Sequence, residues 1–127
     1  MQQSIVFGTP KGDLHDLGKN IVITFMRANG FRIHDLGVDV PPSKFIDKIK
    51  ETNANILAMS GLITPVFSSM ISVIDLLREN GLRKKTFVIV GGPIMSELVV
   101  QKIGADVFGK DPVAGIKLCK DYLMRLQ

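Results

Sequence analysis

The chain has 127 residues, 46% of them apolar and 22% charged, with a formal net charge of +4. That balance excludes disordered and fibrous classes and fits one globular domain, which at this size buries roughly two-thirds of its unfolded surface. No apolar run reaches the ~18 residues of a membrane span, and Met1-Gln2-Gln3-Ser4 lacks the basic start of a signal peptide, so neither a membrane partner nor export is expected and the cytoplasm is the default location.

Along the chain, short and partly β-branched apolar runs alternate with segments of helical period. The strand candidates are Ser4 to Gly8, Phe31 to Asp35, Ile56 to Ser60, Thr86 to Val90 and Asp106 to Gly109. After the first, Leu17, Ile21, Phe25 and Ala28 recur at helical spacing before Gly30, a natural left-handed terminator, and predict the first helix. Pro41-Pro42-Ser43 opens the second, with Phe45, Ile46 and Ile49 as its apolar stripe. Thr64-Pro65 reads as N-cap and first residue of the third, whose stripe is Val66, Met70, Val73 and Leu77 before Gly81. The cluster Arg83-Lys84-Lys85 follows; with one tyrosine and no tryptophan to stack on bases, a solvated turn explains it better than nucleic-acid binding. A less regular helix runs from about Met95 to Ile103, and Asp111-Pro112 caps the last. In that last helix Cys119, the single cysteine, shares a face with Ile116 and Leu123 and reads as core. One cysteine excludes an internal disulfide and any multi-cysteine metal site.

Five βα units predict an α/β, flavodoxin-like, doubly wound parallel sheet of order 2-1-3-4-5 in a single domain covering 1–127. Ligands in such sheets bind beyond the carboxyl ends of the strands, where the strand order reverses, here between strands one and three. The segments after Gly8, Ser60 and Val90 should therefore line the crevice.

The first of these, Gly8-Thr9-Pro10-Lys11-Gly12-Asp13-Leu14-His15-Asp16-Leu17-Gly18, is long and polar. As a flavin phosphate loop it supplies only Thr9 as a small hydroxyl residue, with Pro10 removing an amide. As a zinc site, His15 with Asp13, Asp16, His34 or Asp35 lacks a third nitrogen or sulfur donor in the loop. His34 reads as a polar tip on a sheet edge. A third reading is one axial histidine whose other ring nitrogen is held by the carboxylate two residues before it. For an Asp-x-His pair taken alone an ordinary loop hydrogen bond is the better explanation, so other segments must decide. After strand three stands Ser60-Gly61-Leu62-Ile63-Thr64, where a receiver domain would carry an aspartate. After strand four, Gly91-Gly92 marks either a tight turn or close approach by a bulky ligand.

Together these segments resemble the cobalamin-binding domain family, whose signature is Asp-x-His-x-x-Gly, then Ser-x-Leu, then Gly-Gly. The matching residues are Asp13, His15 and Gly18; Ser60 and Leu62; Gly91 and Gly92. Forty-one residues (19–59) separate Gly18 from Ser60 and twenty-eight (63–90) separate Leu62 from Gly91, as in the family pattern. The strings Lys-Gly-Asp-Leu-His-Asp-Leu-Gly-Lys-Asn-Ile-Val and Ser-Gly-Leu-Ile-Thr-Pro look like the methyl-transferring branch, which includes cobalamin-dependent methionine synthase and small corrinoid proteins of methyltransferase systems.

The resemblance implies a cobalamin or related corrinoid bound base-off, with its nucleotide tail in a slot along the sheet and His15 as lower axial ligand of cobalt. It implies that Asp13 hydrogen-bonds His15 and that Asp16 belongs to the same cofactor-binding loop. Ser60 and Thr64 would contact the nucleotide base, Leu62 belongs to the same motif, and Gly91 and Gly92 leave room for the tail. Gly18 would permit close packing where the first helix begins. The implied function is a methyl carrier, not catalytic alone, working between methyltransferase proteins with a reductive activator. The alternatives are the cobalamin domain of an adenosylcobalamin-dependent mutase, disfavoured by Lys19-Asn20 and Ser60 to Thr64, and a cobalamin-based sensor, which needs an output domain. Family carriers commonly have an N-terminal helical cap over the cofactor, and Met1 almost abuts strand one. The expectation is therefore that the chain is a fragment or that another chain supplies the cap.

Overall fold

The computed structural model describes residues 3–15 and 17–126. Five parallel strands, β1 (Ser4–Gly8), β2 (Arg32–Asp35), β3 (Ile56–Ser60), β4 (Phe87–Gly91) and β5 (Val107–Gly109), form one sheet in the order β2-β1-β3-β4-β5. The helices are α1 (Leu17–Ala28), α2 (Pro42–Thr52), α3 (Val66–Glu79), α4 (Glu97–Ile103) and α5 (Pro112–Arg125). No helix among the described residues is long and apolar enough to cross a membrane.

Because side chains alternate across a strand, each central strand feeds two cores. Val6, Leu57, Met59, Val88 and Val90 face α2, α3 and α4, packing on Phe45, Met70, Ile74 and Leu77. Ile5, Phe7, Ile56, Ala58 and Ile89 face α1 and α5, packing on Ile23, Met26, Ile116 and Cys119. Cys119 is wholly buried, and desolvation pushes its thiol up to about 12. The two-faced burial explains why β1, β3 and β4 read as continuous apolar runs rather than alternating ones.

Helix ends follow local chemistry. Ser96 and Asp111 cap α4 and α5 by accepting from Val99 N and Ala114 N, Pro42 and Pro112 sit in first turns, and Gly104 ends α4 at φ 91°. The fourth helix thus starts at Glu97 rather than near Met95. Arg83–Lys85 forms a 3-10 turn in which Arg83 reaches Asp106, Gly104 O and Thr86 O.

Three expectations need correction. The buried stripe of α1 is Lys19, Ile23 and Met26, with Val22 half-buried, whereas Ile21 and Phe25 are 45% and 47% exposed. Lys19 hides this stripe from an apolar-period reading, because its burial rests on an ion pair with Asp35 (2.9 Å) and a bond to Asn20 (2.8 Å). Thr64 does not cap α3: that helix starts at Val66 with no side-chain cap, because residues 61–65 form a turn held by Asp13. His34 does lie on an edge strand, yet its Nε2 is buried, with no hydrogen-bond partner among the described residues, instead of reaching water.

Candidate functional site

The chain leaves β1 toward the α1 face and leaves β3 toward the α3 face, so the two loops part and a crevice opens between them. The β1–α1 loop is firmly anchored. Thr9 N and Lys11 N donate to Gly37 O and Val40 O, and Gly12 N donates to the Asp39 carboxylate. With His15 N turned toward Asp13, these amides are spent on the protein, which removes the phosphate-cradle reading of this loop.

Asp13 is fully buried and makes four hydrogen bonds through its carboxylate. Oδ1 accepts from His15 N (2.9 Å) and lies 2.8 Å from His15 Nδ1; Oδ2 accepts from Leu62 N (2.6 Å) and Ile63 N (3.3 Å). Burial alone would raise the Asp13 carboxyl, but these four bonds outweigh it and hold the group below the usual carboxylate range. Asp13 is therefore ionised at neutral pH and can only accept, so His15 donates Nδ1–H to it and Nε2 is the ring nitrogen left for a ligand. The His15 side chain is 56% exposed and stands on the wall of a cavity of about 430 Å³. Among the described residues no three His, Cys, Asp or Glu side chains gather as a metal cluster; Asp16, which the zinc reading also named, lies outside them.

The cavity runs from His15 down the α1/α5 side of the sheet, between Val22 and Met26 on one wall and Ile89, Gly91 and Gly115 on the other. Ser60 and Leu62 line it; the Ser60 hydroxyl lies 2.8 Å from that of Thr9, and Leu62 gives its amide to Asp13 while its side chain is 40% exposed. Thr64 is exposed and outside the cavity wall. Asp16 lies outside the described residues.

The glycines divide by what surrounds them. Gly18 has no protein atom within 4 Å of where a Cβ would stand, so it lines open cavity rather than allowing close helix packing. Gly91 also lines the cavity, with only an ordinary contact to Gly109 O. Gly92 has φ +122°, and a Cβ there would meet Gly61 O at 1.9 Å, so the protein's own backbone demands it. Sequence reasoning missed Gly109 and Gly115, whose backbones pack so closely that a Cβ on Gly109 would lie 3.0 Å from Gly115 Cα. A glycine inside α5, where it costs about 1 kcal/mol against alanine, was the available signal. It also missed the contact of Thr9 with Ser60 and the burial of Lys19 against Asp35, whose partners lie on β3 and β2.

A doubly wound α/β domain with one carboxylate-bound loop histidine at the mouth of an apolar slot is a ligand-binding domain whose site lies beyond the carboxyl ends of its strands. The B12 binding domain model matches residues 3–117, and the chain belongs to that family. It is 44% identical over 119 residues to the dimethylamine corrinoid protein of Methanosarcina barkeri, covering 94% of this chain and 56% of that protein. Among solved structures, it superposes on a cobalamin-binding protein from Desulfitobacterium hafniense with TM-score 0.93 and 43% identity, covering 95% of this chain and 59% of the other. It superposes on a chain of the methanol:cobalamin methyltransferase complex of M. barkeri with TM-score 0.89 and 30% identity, covering 95% of this chain and 46% of that one. The chain thus spans about half the length of the curated relatives it matches. Its cofactor is cobalamin or a related corrinoid, and the residues fit such a group: an open histidine nitrogen stands at the mouth of an apolar slot with unfilled space beside Gly18.

Proposed function

We propose that this chain is a methyl-carrier domain that binds its corrinoid base-off, with His15 Nε2 as lower axial ligand of cobalt. The observation that carries the reading is the 2.8 Å contact between Asp13 Oδ1 and His15 Nδ1, which fixes the tautomer and leaves Nε2 as the donor on the cavity wall. When bound, the corrinoid supplies a cobalt centre that takes up a methyl group and gives it away.

The chain's own residues do the rest. Asp13 orients His15 and ties it to the turn at Leu62 and Ile63, so the ligand and the lip of the slot move as one unit. His15 would hold the group through Nε2, and Asp13 would keep the imidazole oriented toward it through the contact at Nδ1. Ser60, Gly18 and Gly91 face the slot that takes the nucleotide tail, and Leu14, Leu62 and Ile63, exposed around His15, offer an apolar seat for the ring. Asp16 and Thr64 belong to the same two loops; Gly92 acts by letting the β4 turn cross Gly61.

Methyltransferase proteins and a reductive activator are the proposed partners. The methylamine corrinoid names among the relatives make methylated amines the first donor class to test. A single cysteine suits a reducing compartment, and we place the carrier in the cytoplasm. The test is single-turnover methylation. Reduced, corrinoid-loaded chain mixed with a methylamine-dependent methyltransferase and its substrate should take up one methyl group per corrinoid. Carbon-skeleton rearrangement with a mutase partner, and no methyl uptake, would establish the mutase alternative instead.

A further inference from the structure

Thr9 follows β1 and is fully buried, yet it does not line the cavity. Its amide donates to Gly37 O (2.9 Å) and its carbonyl accepts from Val40 N (3.0 Å). Its hydroxyl has one partner among the described residues, Ser60 Oγ at 2.8 Å. Ser60 in turn has no other side-chain partner there, and it does stand on the cavity wall.

A hydroxyl offers one hydrogen and two lone pairs. If Ser60 donated to Thr9, the Thr9 hydrogen would be sealed in the interior without an acceptor, the arrangement that buried groups avoid. If Thr9 donates to Ser60, its hydrogen is satisfied, and the Ser60 hydrogen is directed away from Thr9 and free for the cavity that Ser60 lines. The second arrangement leaves nothing unpaired on the protein side. Lys19, the other buried donor on this wall, is occupied by Asp35 and Asn20.

We propose that Thr9 is a positioning residue that makes Ser60 an obligate hydrogen-bond donor into the slot, so that the site selects corrinoids whose tail ends in a ring nitrogen acceptor. This rests on the base-off corrinoid reading above. Once a histidine replaces the tail on cobalt, the ring nitrogen of a benzimidazole or purine carries a free lone pair into a slot with mostly apolar walls. Buried without a donor, that lone pair weakens binding; opposite Ser60 it is matched. A tail ending in a phenol ring has no such nitrogen, and the Ser60 hydrogen then goes unmatched.

The experiment measures dissociation constants for three corrinoids: cobalamin, a phenol-tailed analogue and a tail-less one. They are compared in the unsubstituted chain and in Thr9→Val, Thr9→Ser, Ser60→Ala and the Thr9→Val/Ser60→Ala pair. The unsubstituted chain should prefer cobalamin to the phenol-tailed form by about ten-fold, the worth of one hydrogen bond. Thr9→Val and Ser60→Ala should each abolish the preference, the pair should lose no more than Ser60→Ala alone, and Thr9→Ser should retain it. The tail-less corrinoid should bind all variants alike.

A preference that survives in Ser60→Ala, or in Thr9→Val with the thermal stability of the unsubstituted chain, overturns the proposal. So does a Thr9→Val variant that weakens all three ligands by one factor. Equal binding of all three by the unsubstituted chain removes this proposal and leaves the corrinoid reading standing. Failure to bind any of them removes that reading, and this proposal with it.

Discussion

Asp13 and His34 carry opposite electrostatic instructions, and each can be read by titration. The Asp13 carboxylate accepts from three main-chain amides and one imidazole, so the folded state favours its ionised form. A carboxyl held down in this way stabilises the fold above its unfolded pKa of about 3.9, and that stability is lost as pH falls through the lower folded value. Asn at this position keeps the shape but must turn an amide N–H toward one set of donors. Asp13→Asn should therefore unfold about 2 kcal/mol more easily near neutral pH. The gap should narrow as acid protonates Asp13; a gap independent of pH would deny the carboxylate its organising role. For His34 the leading influence is burial, reinforced by Arg32 and Lys48 and opposed by Glu51, and the imidazole is held below its ordinary value. The folded state thus favours neutral His34: its contribution is present above the unfolded pKa of about 6.5 and lost on acidification below it. His34→Leu should flatten the stability profile between about pH 7 and pH 5, as followed by urea unfolding. An unchanged slope would show that His34 Nε2 finds a partner when protonated.

At the scale of elements, two glycines of the same motif should respond in opposite ways. Gly18 lies in the first turn of α1 with open space around it, so Gly18→Ala should leave the empty protein as stable or up to about 1 kcal/mol more stable, while weakening corrinoid binding. Gly92 crosses Gly61 with positive φ, so Gly92→Ala should destabilise the empty protein by more than about 2 kcal/mol. Thermal melts and corrinoid titrations of both variants decide it; equal melting points would mean the β4 turn yields more readily than its geometry suggests. The strands, α2 and α3 stripes and the cap Asp111 were legible because burial there depends on local period and local chemistry. The α1 stripe was not, since its core face includes a lysine neutralised by a residue on β2, while its apolar Ile21 faces the cofactor cavity. Apolar residues reserved for a ligand look like core when only spacing is read. The Thr9–Ser60 contact was illegible for a different reason: the partners stand 51 positions apart in sequence, and only the parallel pairing of β1 with β3 brings them together.

For the molecule as a whole, the topology explains why one crevice gathers the site. Adjacent β1 and β3 send their chains to opposite faces, and the loops that follow are stitched across the gap by Asp13 and by Thr9 with Ser60. A ligand filling the slot touches the loops after both strands and so binds only the folded state. Cobalamin at one hundred times its dissociation constant should therefore add about 2.7 kcal/mol to stability, visible as a raised melting temperature. A melting point indifferent to saturating cobalamin would mean that the slot is not where it binds. Whether His15 holds the cobalt is tested directly by electron paramagnetic resonance of the Co(II)-loaded protein. The spectrum should carry the splitting of one axial histidine nitrogen and lose it in His15→Ala; the same nitrogen splitting in the variant would contradict the assignment.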